Sequence, residues 1–270
     1  MNHFTMKLLR VKKILLFCVF FYLPFTSIAW GVLGHRIIGQ IADSYLTKST
    51  KKAIAEILGT ESVAMASNWP DFIKSDPSYN YLSNWHYINL KSGLSYDSVK
   101  AFLATDTATD AYTKINFLVA ELKNKNLEKE KKILYLRLLI HIVGDIHQPL
   151  HVGRLEDLGG NKIRVLWFRD STNLHTIWDT HLINFQQLSY SEYATAINFT
   201  NKDQRNSLQQ QPLSEWLFES YQVADKIYGD IKTPHQKLEY AFNFKYVVTL
   251  NSQLLKGGVR LAGLLNEIFR

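Results

Sequence analysis

Lys132-Ile-Leu-Tyr-Leu-Arg-Leu-Leu-Ile-His141-Ile-Val-Gly-Asp145-Ile-His147-Gln-Pro-Leu-His151 is the stretch whose reading decides the fold. From Lys132 to Ile146 apolar side chains fall on every side of a helix (Ile133, Leu134, Leu136, Leu138, Leu139, Ile140, Ile142, Val143). A helix that is apolar all round lies at the centre of a core, and Pro149 ends it. Inside this run stand His141 and Asp145, at i and i+4. They project from one face with Cβ atoms about 5–6 Å apart, a spacing by which a helix can hold one metal ion. An unpaired buried carboxylate is costly, so Asp145 calls for a cation or several donors beside it.

The same spacing returns in Asn173-Leu-His175-Thr-Ile-Trp178-Asp179. With His151 just past the first pair, two adjacent metal sites are expected. Trp69-Pro-Asp71 and Trp85-His86-Tyr87 each set a potential ligand beside an aromatic side chain. Alone, each reads as a core tryptophan next to a polar residue; they gain weight as members of one set. His147 faces away from His141 on the helix, so packing or support of a ligand is expected of it rather than ligation. His181 and His235 read as surface residues.

Outward from the central helix, helical spacing recurs over Gly34–Leu46, Ser49–Leu58, Ser62–Lys74 (interrupted at Pro70), Asp110–Lys123, Leu174–Phe185, Ser189–Ile197, Leu213–Tyr228 and Lys237–Phe269. Ser83–Leu90 is short and aromatic, Lys123–Lys132 is a charged solvated connector, and Gly159-Gly160-Asn161 is a turn. Arg164–Phe168 reads as one short strand. No repeat, low-complexity tract or linker interrupts the pattern. The expected fold is mainly α: a single-domain multi-helix bundle over residues 30–270 with a small β excursion.

Met1–Ala29 reads as a secretory signal. It has a basic start (Lys7, Arg10, Lys12, Lys13), an apolar stretch from Ile14 to Phe25, and small residues at Ser27 and Ala29. The apolar stretch is shorter than the about 20 residues that span a bilayer. An exported protein, periplasmic or released and with no membrane segment after cleavage, is expected. Cleavage would give Trp30 a free α-amine five residues before His35, and amine, carbonyl and imidazole can all ligate a metal. The only cysteine, Cys18, lies in the signal, so the mature chain folds without disulfides. The formal charge is +7, and the signal carries four basic residues and no acid, leaving +3. That is not the basic stripe of a dedicated nucleic-acid-binding domain, although bound divalent ions would raise the potential locally.

Taken in order, Trp30-Gly-x-x-Gly34-His35, Trp69-Pro-Asp71, Trp85-His86-Tyr-Ile, His141-x-x-Gly-Asp145-x-His147-Gln-Pro-Leu-His151, Gly159-Gly-Asn161 and Asn173-Leu-His175-x-x-Trp178-Asp179 resemble the single-strand-specific nucleases of fungi, plants and bacteria that carry three zinc ions, the S-one/P-one nuclease family. The resemblance implies three Zn2+ held by Asp71, His86, His141 and Asp145, by His151, His175 and Asp179, and by the amine and carbonyl of Trp30 with His35 and Asp145. It implies hydrolysis of single-stranded DNA and RNA to 5′-phosphorylated products through metal-activated water, without a side-chain nucleophile. Asp71, Asp145 and Lys74 are then the catalytic residues. Lys74 contacts phosphate, Tyr87 stacks on a base, and Asn89 and Asn161 complete the substrate contacts. Asn89 departs from the family's aspartate, and Asn both donates and accepts where ionised Asp only accepts, so base preference does not carry over. No stable protein partner is expected. Two rivals remain: a zinc-dependent phospholipase C, a class related in fold that carries glutamate where this chain has Asp179, and a non-catalytic zinc-binding protein.

Overall fold

The computed structural model describes residues 30–270; the signal reading of Met1–Ala29 lies outside the described residues. The chain order is α1 (Val32–Tyr45), α2 (Lys48–Leu58), α3 (Val63–Ala66), α4 (Trp69–Phe72), two 3-10 segments (Ile73–Ser75, Pro77–His86), α5 (Tyr96–Ala104), α6 (Ala111–Leu122) and α7 (Lys129–Asp145). A 3-10 turn (Pro149–Val152) leads to β1 (Arg164–Trp167) and β2 (Asp170–Asn173). Next come α8 (Leu174–Thr176), a π turn (Ile177–His181) and α9 (Leu182–Asn184), then α10 (Tyr190–Ile197), α11 (Lys202–Gln210), α12 (Leu213–Asp230), β3 (Gln236–Leu238) and α13 (Tyr240–Ile268).

The helix α7 is the central one. Every residue from Leu138 to Asp145 is buried, and α1, α3, α4, α6 and α13 pack around it. Among these, α13 is the longest at 29 residues; Phe242, Tyr246, Leu250, Leu254, Leu261 and Leu265 recur along its buried face. Its buried Arg260 is matched by Glu219 at 2.7 Å and by the Gln211 amide oxygen at 2.5 Å, which a buried guanidinium requires. His147, on the turn after α7, donates from Nδ1 to the Val143 carbonyl (2.7 Å), and its Nε2 lies 3.1 Å from Arg260 Nη1. It ties the end of α7 to α13, the supporting role expected of it.

Several boundaries differ from expectation, each for a local reason. Pro70 does not interrupt a helix: it occupies the first turn of α4, where no N–H is needed, and the break falls at Ser67–Asn68. The charged connector gives way to α7 already at Lys129, because Lys and Glu are good helix formers. Helix α11 buries no side chain; a capping box between Asn201 and Gln204 fixes its start, so no apolar period announced it. The expected lone strand is the centre of a three-stranded sheet, β2-β1-β3. β2 pairs antiparallel with Arg164 opposite Asn173, and β3 pairs parallel; Asp170-Ser-Thr-Asn173 is too polar and short to read as a strand. His181 is half-buried, its ring 5.9 Å from that of Trp167, while His235 is exposed as expected.

Trp30 lies at the heart of this arrangement. It is wholly buried, its indole N–H donates to the Gly144 carbonyl at 2.7 Å, and the Gly31 amide donates to the Asp179 carbonyl at 2.7 Å. The start of the described chain is thereby clamped between the end of α7 and the π turn. Trp30→Ala should cost about 3–5 kcal/mol. Urea unfolding in the presence of chelator, which separates packing from metal binding, would show it as a lower midpoint with an unchanged slope.

Candidate metal centre

The C-terminal end of α7 delivers His141 and Asp145 to the middle of the molecule, both fully buried. Carbonyl oxygens gather at a helix C-terminus and disfavour an anion there, so Asp145 is doubly in need of positive charge. Imidazoles surround it. Oδ2 lies 2.9 Å from His86 Nδ1 and 3.2 Å from His141 Nε2; Oδ1 lies 3.4 Å from His35 Nε2 and 3.7 Å from His151 Nδ1.

His86 Nδ1 and His141 Nε2 are themselves 3.0 Å apart. With Asp145 Oδ2 they form a near-equilateral triangle of ligand atoms. The other ring nitrogen of His141 lies 2.6 Å from the Ser67 carbonyl; a carbonyl only accepts, so Nδ1 carries the proton and Nε2 turns a lone pair inward. One proton on His86 cannot satisfy both a lone pair and a carboxylate, whereas a cation facing the triangle can. Ligand atoms bound tetrahedrally to zinc at about 2.0–2.1 Å sit about 3.3 Å apart, close to the edges seen here. Asp71 adds a fourth group: its Oδ1 is 3.8 Å from His141 Nε2, and its Oδ2 is buried without a hydrogen bond.

A second group is built alike. His151 and His175 point Nδ1 at the carbonyls of His86 and Gly159, each at 2.7 Å, leaving both Nε2 atoms buried and without a hydrogen bond. Asp179 closes the group at 3.1 Å from His175 Nε2 and 3.8 Å from His151 Nε2. Asp179 sits on the π turn, a helix irregularity common at functional sites. Asn173 caps the helix that carries His175 through its side-chain oxygen, which accepts from the Thr176 amide at 2.8 Å. Gly159, at φ +61°, adopts a left-handed conformation to bring its carbonyl to His175, where an added Cβ would collide with the Leu150 carbonyl.

His35 joins the first group from α1. Its ring stacks on His141 at a centroid distance of 3.8 Å, and its Nε2 carries no hydrogen bond. An alanine at 144 would place its Cβ 2.8 Å from His35 Nδ1, which accounts for glycine there. His35, Asp71 and His141 together form a third grouping able to hold an ion; the Trp30 indole reaches the same end of α7 through its bond to the Gly144 carbonyl.

Burial sets the protonation states. It holds His35, His86 and His151 well below the usual imidazole range, and His141 at about 4. These imidazoles are therefore neutral, the form that binds metal. Burial pushes Asp145 well above the ordinary carboxylate range and raises Asp179. For His175 burial acts downward, but the Asp179 carboxylate outweighs it and the net shift is upward. A neutral imidazole cluster around a carboxylate that burial discourages from ionising is an arrangement that a bound divalent cation resolves, because it favours the ionised carboxylate and the free lone pairs together.

The groups open on a cleft of about 610 Å³ whose lining includes His86, His151 and His175. Lys74, Tyr87, Asn89 and Asn161, the substrate contacts expected from the sequence, all line it. Lys74 Nζ reaches Asp71 Oδ1 at 2.5 Å. Tyr87 is exposed and donates its hydroxyl proton to Asn84 Oδ1 at 2.8 Å; Asn161 donates from Nδ2 to the Leu158 carbonyl at 2.8 Å. Lys162 and Arg164 add two further cations, and no carboxylate is found among the described residues that line the cleft.

Gln148 was not singled out from the sequence. It is wholly buried, donates to Asp179 Oδ1 at 2.5 Å and accepts from the Leu150 amide at 2.6 Å. The only signal was its place between His147 and Pro149, where an amide could equally face solvent.

Buried His/Asp groups beneath an open cleft in a mainly helical scaffold are the arrangement of a protein able to hold metal ions next to a bound substrate. The family model S1/P1 Nuclease matches residues 30–270. The chain is 30% identical to Endonuclease 4 of Arabidopsis thaliana over 274 residues, spanning 90% of each chain. It is 34% identical to Nuclease S1 of Aspergillus oryzae over 163 residues, 57% of this chain and 54% of that one. It is 25% identical to Nuclease P1 of Penicillium citrinum over 267 residues, 88% and 97%. The chain belongs to the S1/P1 nuclease family, hydrolases that cleave phosphodiester bonds.

Gln148→Ala should weaken zinc binding by about 10–100-fold, the usual loss when a residue that orients a metal ligand is removed. Titration of apo-protein against a chromophoric chelator would measure it.

Proposed function

We propose that the mature chain, beginning at Trp30 after cleavage behind Ala29, is an exported zinc-dependent endonuclease. It hydrolyses single-stranded DNA and RNA to 5′-phosphorylated products, with 3′-nucleotidase activity on mononucleotides. The triangle formed by His86 Nδ1, His141 Nε2 and Asp145 Oδ2 carries this reading. Membership of the S1/P1 nuclease family, with a match that begins at residue 30, supports it. No helix among the described residues is long and apolar enough to cross a membrane.

Three zinc ions fit the donor set: Asp71, His86, His141 and Asp145 for the first; His151, His175 and Asp179 for the second; the Trp30 amine and carbonyl, His35 and Asp145 for the third. Five imidazoles among the ligands favour zinc over magnesium, which takes oxygen. Bound zinc supplies Lewis acidity toward a phosphodiester and water activated at neutral pH. The chain's own residues then position the substrate. Lys74 meets the scissile phosphate. Tyr87 offers its face to a base, a contact worth about 1–3 kcal/mol and open to any base that can leave a stack. Asn89 and Asn161 contribute amide donors and acceptors. A phosphatidylcholine headgroup ends in a cation, and a cleft lined by Lys74, Lys162 and Arg164 without a carboxylate suits it poorly; Asp179 in place of glutamate points the same way. A storage role would need the ligands but no cleft above them.

The deciding experiment counts zinc on mature protein and assays single-stranded DNA, RNA and phosphatidylcholine with and without chelator. Three ions and nuclease activity that chelator abolishes and zinc restores are expected, with His141→Ala inactive and lower in melting temperature because bound metal stabilises the folded state. Hydrolysis of the lipid alone, or of nothing by fully loaded protein, would overturn the reading. Residues added ahead of Trp30 should lower the zinc count by one and depress activity; an unchanged count would remove the α-amine from the ligand set.

A further inference from the structure

A second cavity, of about 710 Å³, shares no residue with the lining of the cleft. It lies where the end of α13 meets α6, α11, the start of α12 and the turn between α1 and α2. Its volume is within the range of small-molecule sites, about 300–1,000 Å³. Carboxamides make up much of the wall: Asn116, Asn206, Gln209, Gln210, Gln211 and Asn266. Its charged side chains, Glu267 and Arg270, are of opposite sign, and Glu267 is paired with Lys123 at 2.6 Å. Two of the amides are fixed by the fold. Gln211 accepts from Arg260 at 2.5 Å and donates to Glu215 at 2.7 Å; Asn266 accepts from the Thr47 amide at 2.9 Å and donates to the Tyr45 carbonyl at 3.0 Å. Trp216 also belongs to the wall and is only 5% exposed. Its indole N–H is buried with no hydrogen-bond partner among the described residues. A buried donor without an acceptor is costly, and a ligand oxygen in the cavity would supply one.

We propose that this cavity is a second binding site, for a neutral saccharide. Each carboxamide carries both donors and an acceptor, so a wall of them matches hydroxyl groups, which also do both. A phosphate or carboxylate ligand would instead call for cations in excess, and the charges here are balanced. The Trp216 ring is already engaged by the His147 ring, with centroids 5.8 Å apart, and by the Arg260 guanidinium 5.6 Å from its centroid. What it offers a ligand is therefore the N–H rather than a stacking face, which favours a sugar hydroxyl over a flat base. Asn206 and Gln210 are exposed and one turn apart on α11, so both can reach one ligand. Ile115, Val119 and Leu264 supply apolar surface for the C–H face of a sugar ring. The site also gives α11 a purpose: a polar helix held by its capping box, set as one wall of a polar cavity.

The test titrates zinc-loaded mature protein with cellobiose, maltose and N,N′-diacetylchitobiose, and with thymidine and inorganic phosphate for comparison. Calorimetry reads affinity, and the indole N–H resonances read the place, with that of Trp216 assigned by its loss in Trp216→Phe. Saturable binding of at least one disaccharide, with Kd of about 1 mM or tighter and a shift of the Trp216 resonance, is expected. Asn206→Ala with Gln210→Ala should weaken it about tenfold or more, since hydrogen bonds from two amides are lost. Both positions are exposed, so zinc content, melting temperature and nuclease activity should equal the parent's. Should Trp216→Phe fail to fold, the affinity of this double variant decides alone. Three results would overturn the site: no binding of any of these sugars up to about 50 mM, binding that the double variant leaves unchanged, or a Trp216 shift with thymidine or phosphate in preference to the sugars. None of them touches the nuclease reading, which zinc-dependent cleavage tests separately.

Discussion

The rest of the structure depends on a buried carboxylate at the wrong end of a helix. Asp145 is fully buried at the C-terminus of α7, where desolvation and the helix dipole both oppose its charge. Four imidazoles from three other segments and from α7 itself converge on it. An uncompensated charge in that position would cost several kcal/mol, comparable to the whole stability of a domain. The fold is organised so that compensation is available at this point: α1 brings His35, the 3-10 segment before Tyr87 brings His86, and the turn after α7 brings His151.

Support for the buried imidazoles is mostly backbone. Ser67, His86 and Gly159 each offer a carbonyl to an imidazole Nδ1, which fixes ring orientation and leaves Nε2 facing inward. Asp179 is held instead by a side chain, the Gln148 amide, which donates to its Oδ1. Since carbonyls belong to the chain path and not to side-chain identity, the precision of the site comes from packing: the buried α7, the docking of Trp30 against Gly144, and the close fit of α13 along α1. The small sheet serves the same end, since β2 terminates in the asparagine that caps the helix of His175.

Packing of the site also separates two tasks. Asp145 and Asp179 are buried among the imidazoles, while Lys74, Lys162 and Arg164 belong to the lining of the cleft. A chain of modest net charge thus gathers three cations along the lining of one cleft. Total charge gave little warning of this.

The sequence by itself determined the central helix and the His/Asp pairs at i and i+4, because one helical period places such residues on one face whatever surrounds them. It also marked the turn at Gly159–Gly160, since left-handed backbone is written in glycine. Contacts between segments distant in sequence were decided only by the tertiary structure. His86 meets His141 across 55 positions and Trp30 meets Gly144 across 114, and no local pattern encodes such distances. Gln148, Lys162 and Arg164 stayed silent for the same reason: an amide or a cation acquires its role from what stands opposite it. The polar strand β2 and the polar helix α11, which buries no side chain fully, were likewise invisible, because pairing and capping hold them where apolar periodicity is absent.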